Sequence, residues 1–232
     1  MIRHAAPAAA LLLSALSTLA FAQAPAAPRA AAAAEKFVPE DHRPPLAFRE
    51  DFIDEPNETP VTMASIKNKA LGFTTWGPGK ETVAKSHHAS PKDESGYIWT
   101  GSCTQVCGFT LHDSTAYLDL RGLAKVVWRT KETGFHQLRL MLKLADGKTL
   151  VSNKTVDATS DWQVSEMTLQ DIEWHGLNTK TMTDDPVVKA PDLSKVEEIG
   201  WTDLMPGSGH GTPGGSTRVD WIEVYGLKVP RK

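Results

Sequence analysis

Six carboxylates stand on segments that alternate like β-strands or lie beside them: Asp119, Glu166, Asp171, Glu173, Asp203 and Glu223. Two of them facing each other across a cleft, about 5 to 10 Å apart, would suit glycosidic cleavage, yet none sits in a paired-acid signature. Metal chemistry would draw on His87, His88, His112 with Asp113, His136, His175 and His210. No H-E-x-x-H occurs, and neighbours such as His87 and His88 point to opposite faces of a strand. The serine in DSTAY has no Gly-x-Ser-x-Gly around it, so no nucleophile elbow is encoded. Cys103 and Cys107 are spaced C-x3-C without a second ligand pair, which favours a disulfide closing a tight loop over zinc or redox work.

Recognition chemistry is better supplied. A sugar presents apolar C–H faces ringed by hydroxyls, so its site needs exposed aromatic platforms flanked by planar polar groups. The chain has seven Trp against three Tyr. Along the segment from His136, Gln137 and Arg139 lie on the polar face, while Ile199, Trp201 and Asp203 share one face of a later strand. If Trp201 and Asp203 lie beside Arg139, a groove results. Trp201 would stack on a sugar, Arg139, Asp203 and Gln137 would bond hydroxyls, and Trp128 and Trp174 would be secondary platforms. The competing reading of each Trp is core filling.

These residues need strands to position them. Short runs rich in Val, Leu, Thr and aromatics recur between Gly, Pro, Asn and Asp turns, and helical periodicity is nearly absent, so the chain reads as all-β. The clearest strand is His136 to Leu144, where Leu138, Leu140, Leu142 and Leu144 alternate with Gln137, Arg139, Met141 and Lys143. Asp146-Gly147 turns it back into Thr149 to Lys154. Further strands are expected at Leu46 to Phe52, Leu71 to Trp76, Glu81 to Ser86, Tyr97 to Thr100, Gly108 to Leu111, Ala116 to Leu120, Lys125 to Thr130, Trp162 to Leu169, Val196 to Asp203 and Arg218 to Tyr225. So many short strands predict a sandwich or jelly roll. The run Met205 to Thr217, MPGSGHGTPGGST, reads as an irregular loop and lacks the Gly-Lys-Ser/Thr of a phosphate loop.

The amino terminus predicts export. Arg3 and His4 precede an apolar run from Ala5 to Leu19, and Ala20-Phe21-Ala22 offers a cleavage site, so residues 1–22 read as a signal peptide. The run is shorter than the ~20 residues of a membrane-spanning helix, so no anchor is expected after cleavage. Residues 23–45 are Ala- and Pro-rich and read as a linker, leaving 46–229 as a single β-sandwich domain of ordinary size. The formal charge is −3, with no Lys or Arg cluster, which argues against nucleic acid as a partner. The protein is expected in the periplasm or outside the cell.

A resemblance joins these readings. LDLRGLAKVVWRT from Leu118, then TSDWQVSEMTL, DLSKVEEIGW and the closing RVDWIEVYG resemble the galactose-binding-domain-like jelly rolls, which include carbohydrate-binding modules and the complex I intermediate-associated proteins. Asp220 and Ile222 match the closing strand of that superfamily. The resemblance implies a jelly roll that binds a glycan or a protein without chemistry, needs no cofactor and has loops suited to a structural calcium. A lectin-like module recognising a poly- or oligosaccharide is therefore the leading expectation. The rivals are a secreted glycoside hydrolase using two of the acids above, and a periplasmic assembly protein with an exposed apolar patch.

Overall fold

The computed structural model describes residues 43–87, 96–134, 136–159, 161–204 and 216–231. The expected signal peptide, nearly all of the expected linker, His88, His210 and residues 205–215 of the Gly-rich run lie outside the described residues.

Fifteen strands are described: β1 (Leu46–Glu50), β2 (Leu71–Trp76), β3 (Ala84–Ser86), β4 (Tyr97–Trp99), β5 (Cys107–Asp113), β6 (Ala116–Asp119), β7 (Lys125–Thr133), β8 (Leu138–Leu144), β9 (Thr149–Val156), β10 (Gln163–Thr168), β11 (Trp174–Asn178), β12 (Thr183–Val187), β13 (Val196–Asp203), β14 (Ser216–Tyr225) and β15 (Leu227–Pro230). They form two antiparallel sheets, a jelly-roll sandwich as expected. The smaller runs β10-β7-β14-β4-β3, with β1 pairing the far half of β14. The larger runs β12-β11-β9-β8-β13-β5-β2, with β6 on β13 and β15 on β6.

The apolar faces explain why these strands stack. In β7, buried and half-buried residues alternate strictly, so Val126 and Trp128 face inward while Val127 and Arg129 face out. In β8 the four leucines face inward and meet Ile199 and Trp201 of β13 through the pairs Leu142↔Ile199 and Leu140↔Trp201. Phe109 of β5 packs its ring 5.0 Å from Trp201 and 5.3 Å from Phe73. The Asp146-Gly147 turn forms as expected: Gly147 takes φ 88°, a region that glycine enters without a Cβ penalty. Cys103 and Cys107 form the expected disulfide, which ties the 3-10 turn Thr100–Ser102 to the start of β5.

Three strands were not legible in the sequence: β11, β12 and β15. The five residues of β12, TDDPV, are all exposed and include a proline, so no local pattern marks them. Tertiary packing forms the β11–β12 hairpin instead. Leu177 and Met182 from it join Met141, Val151 and Val106 in a second apolar cluster on the outer face of the larger sheet, where Trp76 and Leu204 pack against it. Met141, which the alternation places on a polar face, is therefore fully buried.

Candidate functional site

The register of β8 and β13 decides which side chains meet. Arg139 pairs with Thr202, not with its neighbours Trp201 and Asp203, so the latter two point between the sheets. The expected groove of Trp201, Asp203 and Arg139 is thus split across the two faces of one sheet. Trp201 and Trp128 are 0% exposed and Trp174 is 3% exposed, so all three are core residues that offer no ring to a ligand. Asp203 is buried, held by His136 Nδ1 and by the Thr217 hydroxyl at 3.1 Å. The other two expected residues do reach the outer face. Arg139 donates through Nε to the Ser152 carbonyl at 2.6 Å and through a terminal nitrogen to both oxygens of Asp184, at 2.7 and 3.0 Å. Exposed Gln137 donates to Asp157 at 3.0 Å.

Around Arg139 the outer face of the larger sheet carries a connected strip of aromatic and charged groups. Its rows follow from strand pairing. The first is Trp76, Gly108, Thr202 and Arg139; the second Thr74, Thr110, Gly200 and Met141; next to these stand the pairs Gly72 with His112 and Glu198 with Lys143. Trp76 is half-buried, and its indole Nε1 donates to the Thr110 hydroxyl at 2.7 Å. That hydroxyl donates in turn to Glu198. Lys143 bridges Glu198 at 3.0 Å and Glu197 at 3.1 Å, with its ammonium 5.8 Å from the Trp76 ring centroid. Gly200, between Thr110 and Met141, adds no side chain to the floor beneath these groups. The His112 ring lies where a Cβ of Gly72 would be, 2.4 Å from its Nε2, so the imidazole is folded flat against β2.

The strip continues past Glu197. Arg231 pairs with Glu197 at 3.2 Å and stacks its guanidinium 4.4 Å from the centroid of Tyr117. On the other face of β5, Lys228 holds Asp113 at 2.7 Å, since these two pair with the core residues Leu118 and Leu71. Burial opposes ionisation of Asp113, but hydrogen bonds from Lys228 and Thr115 outweigh it and bring the pKa down to about 2. Burial likewise opposes the charges of Glu197 and Lys143, and their mutual pairing, with Arg231 and Glu198, wins: Glu197 is shifted down and Lys143 up. Pairing thus favours the ionised forms of Glu197 and Lys143. Each cation is spent on an acid, leaving planar hydrogen-bonding groups between a Trp at one end and a Tyr at the other.

The expected hydrolase acids are dispersed, and three of them pair with Lys or Arg. Asp119 binds Arg121, Glu166 binds Lys125 and Glu223 binds Arg49, the last two on the opposite sheet. Glu173 lies 3.6 Å from His175, and Asp171 ends a 3-10 turn. Among the described residues no group of three or more His, Cys, Asp or Glu side chains is placed to hold a metal ion. Trp76, the aromatic that the strip does use, was missed because it ends a strand whose alternation says nothing of which face is covered. Gly108 opposite it, and Gly200 in the next row, were the available signal.

No protein-family model matches the chain, and neither does any curated protein. Solved structures similar to it include the family 11 carbohydrate-binding module from Clostridium thermocellum in complex with a β-1,3-1,4-mixed-linked tetrasaccharide, at 15% identity, covering 80% of this chain and 99% of that one with a TM-score of 0.43. The family 11 module of the cellulosomal cellulase Lic26A-Cel5E of the same organism is similar at 12% identity over 77% of this chain and 95% of its own, TM-score 0.37. An exo-β-agarase is similar at 11% identity, TM-score 0.38, over 80% of this chain and 25% of its own length.

Proposed function

We propose that the protein is a carbohydrate-binding module whose ligand, a poly- or oligosaccharide, lies on the outer face of the larger sheet. The observation that carries this is Trp76. Its half-buried indole is fixed through Nε1 beside a floor without a side chain at Gly200, and the Lys143 ammonium, paired with Glu197 and Glu198, lies 5.8 Å from its ring centroid. An immobile indole binds the C–H face of a pyranose with little further loss of side-chain entropy, and the paired ions present donors and acceptors to its hydroxyls without a net field. Both family 11 modules named above are carbohydrate-binding modules by description, which agrees with this reading. Export accords with the apolar leader and with the Cys103–Cys107 disulfide, since oxidised pairs persist outside the reducing cytosol. The expected cofactor independence and structural calcium belong to the same test.

The experiment is affinity electrophoresis of the protein against mixed-linkage β-glucan, cellulose, xylan, agarose and chitin, with calcium and with chelator, and a reducing-sugar assay on every polymer retained. Retention without product release, weakened about tenfold or more in Trp76→Ala, is expected; tenfold corresponds to ~1.4 kcal/mol, within the range of one aromatic stacking contact. Retention by none of the polymers, or full retention by Trp76→Ala, would sink the proposal.

A further inference from the structure

We infer that the strip takes a glycan by its chain end and not along the chain interior, because the β11–β12 hairpin walls off the strip beyond Trp76. The inference rests on the glycan-binding reading and adds the class of ligand. Beyond Trp76 the first row of the outer face, Gly108, Thr202 and Arg139, is built over. The Met182 side chain lies on two glycines: a Cβ at Gly77 would come 2.4 Å from its Cγ, and one at Gly108 would come 3.1 Å from its Cε. At the far end of the row Asp184, next on the same hairpin, clamps Arg139 through both carboxylate oxygens. Behind the row Val106, Leu177 and Leu204 close the face with apolar packing.

This wall is stiff. Met182 is 2% exposed and holds φ 53°, a conformation that costs a residue with a Cβ and that persists where the surroundings over-determine it. Its N–H bonds the Asn178 carbonyl at 2.7 Å, and the Asn178 side chain accepts from the Lys180 N–H at 3.0 Å, which fixes the turn. The opposite end of the strip is bounded by Arg231, a charged tip on a flexible stem. A polymer laid along the strip from Tyr117 to Trp76 could continue past Trp76 only by running into Met182. A chain terminus fits instead, with the 37% exposed Asp184 carboxylate at hand for terminal hydroxyls.

The test uses each polymer of the panel intact and after partial acid hydrolysis that multiplies the chain ends about tenfold at constant mass. End binding predicts that protein bound per gram rises roughly in proportion, at unchanged affinity per end. Capacity per gram that stays constant, with Trp76 still required, overturns end selectivity and leaves the glycan reading standing. No retention of either form overturns both. Two wall variants sharpen the result: Met182→Gly removes the plug and suits the positive φ, and Asp184→Ala, at a half-exposed position, removes the clamp without touching the core. Each is expected to raise binding to the intact polymer by about threefold or more, a change of ~0.65 kcal/mol. Unchanged binding to intact polymer in both variants, each shown folded by its thermal transition, counts against the wall.

Discussion

Two buried carboxyl groups show how differently the sandwich treats the same chemistry. Glu50 is fully buried at the end of β1, yet it accepts backbone N–H groups from Phe52, Lys67 and Asn68 at 2.7 to 2.8 Å, pinning the loop after β1. Glu132, also fully buried, has neither oxygen matched with a donor among the described residues, because the nearby Thr217 hydroxyl is given to Asp203. Burial pushes its pKa well above the ordinary value of 4.5, and the charge of Asp203, itself held by His136, adds to the shift, while Arg218 opposes it. A raised folded-state pKa means that the folded protein holds this proton more tightly than the unfolded chain. Glu132 therefore costs nothing below about pH 4.5, and costs more with each step of pH up to its folded value. Glu132→Gln is accordingly expected to stabilise the protein at pH 7, where the cost of the buried charge is felt, and to do so far less at pH 4. Urea unfolding at both pH values checks this, and an equal effect at the two would contradict it. Nothing in the sequence marks Glu132, since KVVWRTKET alternates only up to Thr130 before its polar residues take the inward positions.

At the scale of elements, β13 is the strand on which the site depends. It joins β8 to β5 in the middle of the larger sheet, and its inward and outward residues build the core and the strip respectively. Its closeness to β5 is set by Gly200: a Cβ there would fall 2.0 Å from the Phe109 carbonyl oxygen, a backbone atom that cannot step aside. Gly200→Ala is expected to lower stability by about 2 to 3 kcal/mol, as overpacking does, and to disturb Trp76 through Thr110. Thermal unfolding, with the Trp fluorescence spectrum as the local reporter, measures both; a variant as stable as the parent would show that β13 shifts freely. The strands of this region were legible as elements, because Leu138 to Leu144 and Val196 to Asp203 alternate. The hairpin that covers Met141 was not, because its contribution comes from Met182 and Leu177 meeting a distant face.

The molecule as a whole has two outer faces, and aromatic residues occur on both. The smaller sheet displays Trp221 under the Arg49 guanidinium at 4.4 Å and Trp162 beside Arg129 at 5.0 Å, rings already covered on one side by cations. The larger sheet displays Trp76. If recognition belongs to the larger sheet alone, Trp221→Ala leaves the dissociation constant for a retained polymer within about twofold, under ~0.4 kcal/mol, while Trp76→Ala raises it. Comparable losses from both variants would assign binding to both faces.

Alternation, turn residues and the absence of helical period determined by themselves that this chain is an all-β sandwich, because a period of two and its punctuation are local properties of consecutive residues. The C-x3-C spacing likewise determined which cysteines could pair. Only the tertiary structure decided which face of each strand is covered. Trp201 and Asp203 alternate as a ligand-facing pair would, but the register Thr202↔Arg139 turns them into the core, and the β11–β12 hairpin, not the local pattern of β8, buries Met141 and leaves Trp76 at the margin of an open strip. A strand's sequence states that it has two faces; what lies against each is set by residues far away in the chain.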